Sequence, residues 1–227
     1  MEKQYLIDRS PVRFFEKSLN GGVKPGEIGV VASKKGLGKT SVLVQIGLDM
    51  LLQEKQVIHI SFHQHSDYVI TWYEDIFSEM AKKKNLDKGN DIKEDILKKR
   101  IILNFNQDSA SMSQVVKTVQ ALISGGISAQ AIIIDGMDFT RLSKEDLAQI
   151  KDFAKQANLV LWFSGNTEET DRQVPATLAP IQDALDVIIY LEQKPDCINL
   201  KVLKEHGTAP KDMDLKLDAK TLLIAEK

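Results

Sequence analysis

Lys39, Thr40 and Asp135 are the side chains whose types and spacing best fit a chemical site in this 227-residue chain. The first two end the run Val30-Val31-Ala32-Ser33-Lys34-Lys35-Gly36-Leu37-Gly38-Lys39-Thr40-Ser41, where an apolar stretch gives way to a short loop holding two glycines. Strand, glycine loop and helix N-terminus in that order make an anion site, because the loop N–H groups and the positive end of the helix dipole converge. The spacing is that of G-x-x-x-x-G-K-[ST], with Ser33 standing at the first position in place of glycine. In that pattern the loop from Ser33 to Ser41 holds phosphates, Lys39 reaching the β- and γ-phosphates and the Thr40 hydroxyl ligating magnesium. Asp135 closes Ala131-Ile132-Ile133-Ile134-Asp135, which has the form of a buried strand delivering a carboxylate to that metal. The alternative is an ordinary β–α turn followed by an unrelated acidic strand end. Lys34 and Lys35 either add charge for a polyphosphate or are simply solvated.

Other candidates are weaker. His59, His63 and His65 share a parity, and His63 and His65 would lie about 6.6 Å apart on an extended strand. They could share a metal, but no carboxylate or cysteine completes the set. Trp72 and Tyr73 read as helix core rather than as base-stacking platforms.

The elements that position these residues follow from periodicity. Strands are expected over 28–32, 56–62, 100–105, 131–135, 159–164, 187–192 and 198–204. The helix from Ser41 to about Gln53 is apolar nearly all round, which implies deep burial. Val69, Trp72, Tyr73, Ile76, Phe77 and Met80 mark one face of a helix that begins near Ser66 and closes at Lys82-Lys83-Lys84. Further helices are expected from the Asp91/Glu94 pair onward, over 115–123 before Gly125-Gly126, after the Ser143 cap, and over 178–185. Residues 1–20 read as a mixed lead-in, 165–177 as a polar loop, and 213–225 as a β-hairpin around Asp218-Ala219-Lys220. Strands alternating with helices and then meandering predict an α/β domain, a mostly parallel sheet with an antiparallel C-terminal edge. One domain over 1–227 is expected, with 205–227 as its hairpin extension.

Composition narrows the function classes. The net charge of -2 offers no global basic field for nucleic acid or anionic lipid. A single cysteine, Cys197, excludes an internal disulfide. No apolar run approaches the ~20 residues that span a bilayer, and the N-terminus lacks the apolar core of a signal peptide. The expected compartment is the cytoplasm, with no membrane partner.

The chain resembles the RecA-like branch of P-loop ATPases, of the KaiC, RadA and DnaB-helicase kind. The likeness rests on Asn20-Gly21-Gly22-Val23-Lys24-Pro25-Gly26-Glu27, the loop ending Gly38-Lys39-Thr40, and the Ile132–Asp135 strand. It continues in Asp183-Ala184-Leu185-Asp186-Val187-Ile188 and Leu203-Lys204-Glu205-His206-Gly207-Thr208, so it covers about residue 10 to the C-terminus. The DnaB-type loop also often lacks the first glycine. The resemblance implies ATP (or ADP) with Mg2+ as ligand, and assembly into a ring or filament of like subunits. It places Asn166 where the family puts a γ-phosphate sensor, against a plain turn-capping role for the same residue.

Two positions depart from the family. The glutamate that polarises the attacking water is replaced by His63, a poor direct substitute given its pKa near 6.5; Gln64 could position a water instead. The arginine that enters the neighbouring subunit's site is replaced by His206, while Lys204 is kept to probe that neighbour. The expectation is nucleotide binding with weak or lost hydrolysis, governing self-association or partner docking. The alternative is an active DNA-dependent ATPase of the recombinase or helicase type, with His63 or Gln64 catalytic. No motif distinguishes ATP from GTP.

Overall fold

The computed structural model describes residues 2–62, 65–168, 170, 173–206, 208 and 210–226. Its strands are β1 (Ile28–Ser33), β2 (Gln56–Ser61), β3 (Arg100–Asn104), β4 (Ala129–Asp135), β5 (Val160–Asn166), β6 (Val187–Gln193), β7 (Cys197–Glu205), β8 (Lys211–Asp218) and β9 (Ile224–Glu226). They form one sheet in the order β3-β2-β4-β5-β1-β6-β7-β8-β9. Pairing is parallel from β3 to β6 and antiparallel from β6 to β9. The fold is therefore α/β, mostly parallel, with antiparallel C-terminal hairpins.

The helices are α1 (Glu2–Asp8), α2 (Pro11–Ser18), α3 (Lys39–Leu52), α4 (Ser66–Lys83), α5 (Gly89–Leu97), α6 (Met112–Ser124) and α7 (Lys144–Gln156), with a short 3-10 segment at Ala179–Ala184. The connection from β1 runs outward to β2, while those from β3, β4 and β5 run back across the sheet. Right-handed crossovers in opposite directions place helices on opposite faces. One core accordingly lies between the sheet and α1 to α5, with β8 and β9 contributing to it. The other lies under α6 and α7.

Side-chain alternation along each strand decides which residues meet α3. In β4, Ala131 and Ile133 enter the α3-side core, whereas Ile132 and Ile134 enter the other. Asp135 shares the parity of Ile133 and so faces α3. Ser164 follows Trp162 of β5 in the same way, and His59 and Ser61 follow Val57 of β2. α3 is buried over nearly all its residues, including Ser41, Gln45 and Asp49, as its all-round apolarity implies.

Two expectations are corrected. The lead-in over 1–20 is a pair of packed helices. Ser10 caps α2 by accepting from the Val12 N–H at 3.3 Å, Pro11 occupies the first turn, and Leu6, Val12, Phe15 and Leu19 are buried. Arg13 forks onto buried Asp49 of α3 and fixes the pair in place. The Asp91/Glu94 pair does not start α5, which begins at Gly89 after Lys88 with no side-chain cap. Ser111 and Ser143 do cap α6 and α7, each closing a reciprocal capping box. Among the described residues no helix is long and apolar enough to cross a membrane.

Candidate functional site

The loop between β1 and α3 turns on two left-handed glycines, Gly36 at φ 87° and Gly38 at φ 88°. Gly38 is the N-cap of α3 and, having no side chain, leaves the first-turn N–H groups uncapped by any side chain. A Cβ at Gly36 would meet nothing within 4 Å, so the loop is open on that side. At Gly38 a Cβ would come to 3.0 Å from Leu217 Cδ1, so β8 closes the other side.

Lys39 opens α3, where a cation opposes the helix dipole. Its ammonium folds back over the loop and donates to Ser33 O at 3.3 Å, Ser33 Oγ at 3.2 Å and Lys34 O at 2.9 Å. Burial pulls its pKa down from 10.5 to about 8, partly countered by the nearby Asp135 carboxylate. A buried cation held by neutral carbonyls gains from an anion brought into the loop.

Thr40 Oγ1 donates to Asp135 Oδ2 at 2.8 Å. The other carboxylate oxygen accepts from Ser164 Oγ, which itself accepts from the Gly136 N–H at 2.8 Å. β4 and β5 lie side by side in the sheet, so Ser164 stands next to Asp135 and steadies it. A hydroxyl and a carboxylate are hard oxygen donors of the kind Mg2+ takes when phosphates and water fill its remaining positions. Among the described residues, no group of three or more His, Cys, Asp or Glu side chains gathers to cage a metal unaided.

These groups open onto a cleft of about 550 Å3 at the C-terminal ends of the parallel strands. Lys35, Gly36, Gly38, Lys39 and Thr40 form its loop side. Ser61, Asp135, Gly136, Ser164 and Asn166 form its floor, with Trp72 and Leu222 on its flanks. In open α/β sheets, ligands sit in such crevices where successive connections leave to opposite faces.

The remaining candidates fall in several places. Ser33 is buried, its hydroxyl turned onto Lys34 O at 2.8 Å, while Lys34 and Lys35 are exposed. Leu37 packs against the α3-side core. Asn166 is exposed at the rim, in register with Ser33 across β1 and β5. Ser41 faces away from the loop, donating its hydroxyl to Leu222 O at 2.7 Å. Lys204 lies on β7 with its ammonium donating to Gln182 O of its own chain at 2.6 Å. His206 Nδ1 stands 3.7 Å from Glu27 Oε1. His63 and Gln64 lie outside the described residues.

His59 is fully buried beneath this floor, its Nδ1 3.2 Å from Tyr73 OH and its Nε2 without a partner among the described residues. Burial lowers its pKa from 6.5 to about 4, against the pull of Asp135 and with Arg100 adding to the drop. It is a neutral core residue. Tyr73 is likewise core, but Trp72 sits at the margin of the same helix face and reaches the cleft.

Ser164, Ser61 and Leu222 were not among the sequence candidates, and Trp72 was read as helix core. A polar residue closing an apolar strand was the available signal for the two serines. Nothing local marks Leu222, which arrives on the C-terminal hairpin. In comparisons with known proteins, no protein-family model and no curated protein matches this chain; its mostly parallel α/β sheet is compatible with a P-loop or Rossmann-like domain.

Proposed function

We propose that this chain is a RecA-like P-loop domain that binds a nucleoside triphosphate with Mg2+ and hydrolyses it slowly or not at all. The observation that carries the reading is the 2.8 Å contact between Thr40 and Asp135 beside the inward-folded Lys39, at the head of α3. Fold alone would not suffice, since function is argued from the site. Lys39 would exchange loop carbonyls for phosphate oxygens, first-turn N–H groups of α3 would receive the remaining charge, and Thr40 and Asp135 would hold the metal. Mg2+ would supply neutralisation of the phosphate charge.

Slow turnover follows from what the sequence lacks. His63 stands for the water-polarising glutamate. His206 stands for the arginine, whose counterpart is worth ~10³–10⁵ in rate where it acts, and Lys204 is engaged inside its own chain. A bound but long-lived nucleotide suits a domain whose ligand state governs self-association or docking of a partner.

The test is Lys39→Ala. Mg-ATP at 100 times its dissociation constant stabilises the parent protein by about 2.7 kcal/mol, and the variant shows no such thermal shift. Unchanged calorimetric affinity in the variant overturns the reading. Phosphate release stimulated many-fold by single-stranded DNA overturns the slow hydrolysis.

A further inference from the structure

We infer that a small cavity between α1, the end of α4 and the C-terminal hairpin is a second binding site, and that it takes a short aliphatic carboxylate, tail inward. The inference does not depend on what the glycine loop binds, and the cavity shares none of its lining with the cleft there among the described residues. Its apolar wall is drawn from three parts of the chain: Leu6 of α1, Met80 of α4, and Leu223 and Ile224 of the hairpin. Ser10 and Gln45 also line it but are engaged within the protein. Ser10 Oγ accepts from the Val12 N–H at 3.3 Å, and the Gln45 amide donates to Leu222 O at 2.9 Å and accepts from the Ile224 N–H at 2.8 Å. A ligand entering the cavity is therefore met by carbon, and a polar group carried inside would go short of partners.

The mouth is different. Arg9, Lys83 and Lys84 stand around it, and among the described residues no carboxylate lines the cavity. Arg9 and Lys83 are exposed, and neither forms an ion pair among the described residues, whereas neighbouring Lys82 is paired with Glu79. Lys83 is felt by Asp218, but that carboxylate is held first by the N–H and hydroxyl of Thr221, and the ammonium only adds to the lowering of its pKa. Lys84 rests over the Tyr5 ring, 5.8 Å from its centroid. Three cations around an apolar hollow favour a ligand with an anionic head, and a guanidinium can hold a carboxylate by two parallel hydrogen bonds.

Volume limits the tail. The cavity measures about 50 Å3. A water-sized place takes ~10–15 Å3, so about three to five carbons fit, whereas a cavity that holds benzene measures ~150 Å3. Aromatic acids and nucleotide bases are thereby excluded. A seated tail touches both α4 and the hairpin, so binding fastens the hairpin to the body of the protein.

The experiment titrates acetate, propionate, butyrate, valerate and n-butylammonium into the full chain at constant ionic strength, followed by amide NMR shifts. Affinity is expected to rise about fourfold with each methylene from acetate to valerate, with the shifts centred on Leu223 and Ile224, and n-butylammonium is expected not to bind. Hydrogen exchange at the Ile224 N–H slows in butyrate. The double variant Arg9→Gln, Lys83→Gln loses butyrate affinity by at least about tenfold and melts like the parent protein, since both side chains are exposed. Lys82→Gln, outside the cavity, binds butyrate as the parent does. No saturable binding by any of the acids, affinity independent of tail length, equal binding of n-butylammonium, or unchanged butyrate affinity in the double variant each overturns the site. None of these outcomes bears on nucleotide binding, which Lys39→Ala tests separately.

Discussion

At Lys39 the energetics of the site are concentrated in one proton. Burial brings its pKa to about 8, so near that pH the ammonium is about half protonated in the free protein. A polyphosphate favours the charged form and raises the pKa again. Nucleotide binding at pH 8 therefore takes up about half a proton, and affinity weakens as pH rises further. Calorimetry in two buffers of different ionisation enthalpy measures this uptake; none at all would mean that Lys39 does not meet the phosphates. Lys39, Thr40 and Asp135 were legible in the sequence because each carries a local signature, a glycine loop or an apolar strand ending in acid. Ser164 was less so, because its role depends on which strand lies beside β4.

At the scale of elements, α3 does two jobs. Its N-terminus frames the cleft, and its next turn anchors the C-terminal hairpin. Gln45 acts like an inserted piece of backbone, donating to Leu222 O at 2.9 Å and accepting from the Ile224 N–H at 2.8 Å. Gln45→Leu takes the partner from the buried Ile224 N–H and leaves the Leu222 carbonyl with Ser41 Oγ, a loss of about 1–3 kcal/mol. Urea denaturation measures the loss, and hydrogen exchange at Ile224 speeds up with it; parent-like stability would count against the anchoring role. Ser41 shows the limit of motif reading. Its place in the pattern suggests phosphates, yet its hydroxyl meets the hairpin, because the hairpin packs on that side of α3. The two N-terminal helices escaped a periodicity reading because each is short, and their stability comes from Leu6, Val12 and Phe15 docking on a distant element.

Across the whole molecule, the floor of the cleft is also the middle of the core. His59 occupies it uncharged between β2 and α4, which couples acid stability to the site. Its folded pKa is about 4, whereas the unfolded chain takes up the proton near 6.5. Stability is therefore fully present above pH 6.5 and falls between 6.5 and 4, by up to about 1.4 kcal/mol per pH unit. Urea titrations at pH 7, 6 and 5 on parent protein and His59→Gln measure the difference; equal slopes would show that His59 is not the group responsible. What the sequence determined by itself was local and periodic: alternating strands, a deeply apolar helix, a glycine loop, an acid at a strand end. Tertiary structure decided the encounters. Only the strand order β2-β4-β5-β1 brings Asp135 to Thr40, 95 residues away, and only the returning hairpin sets Leu222 beside the loop and the first turn of α3. Periodicity fixes which face a side chain takes, but which faces meet depends on crossovers and packing between segments far apart in the chain.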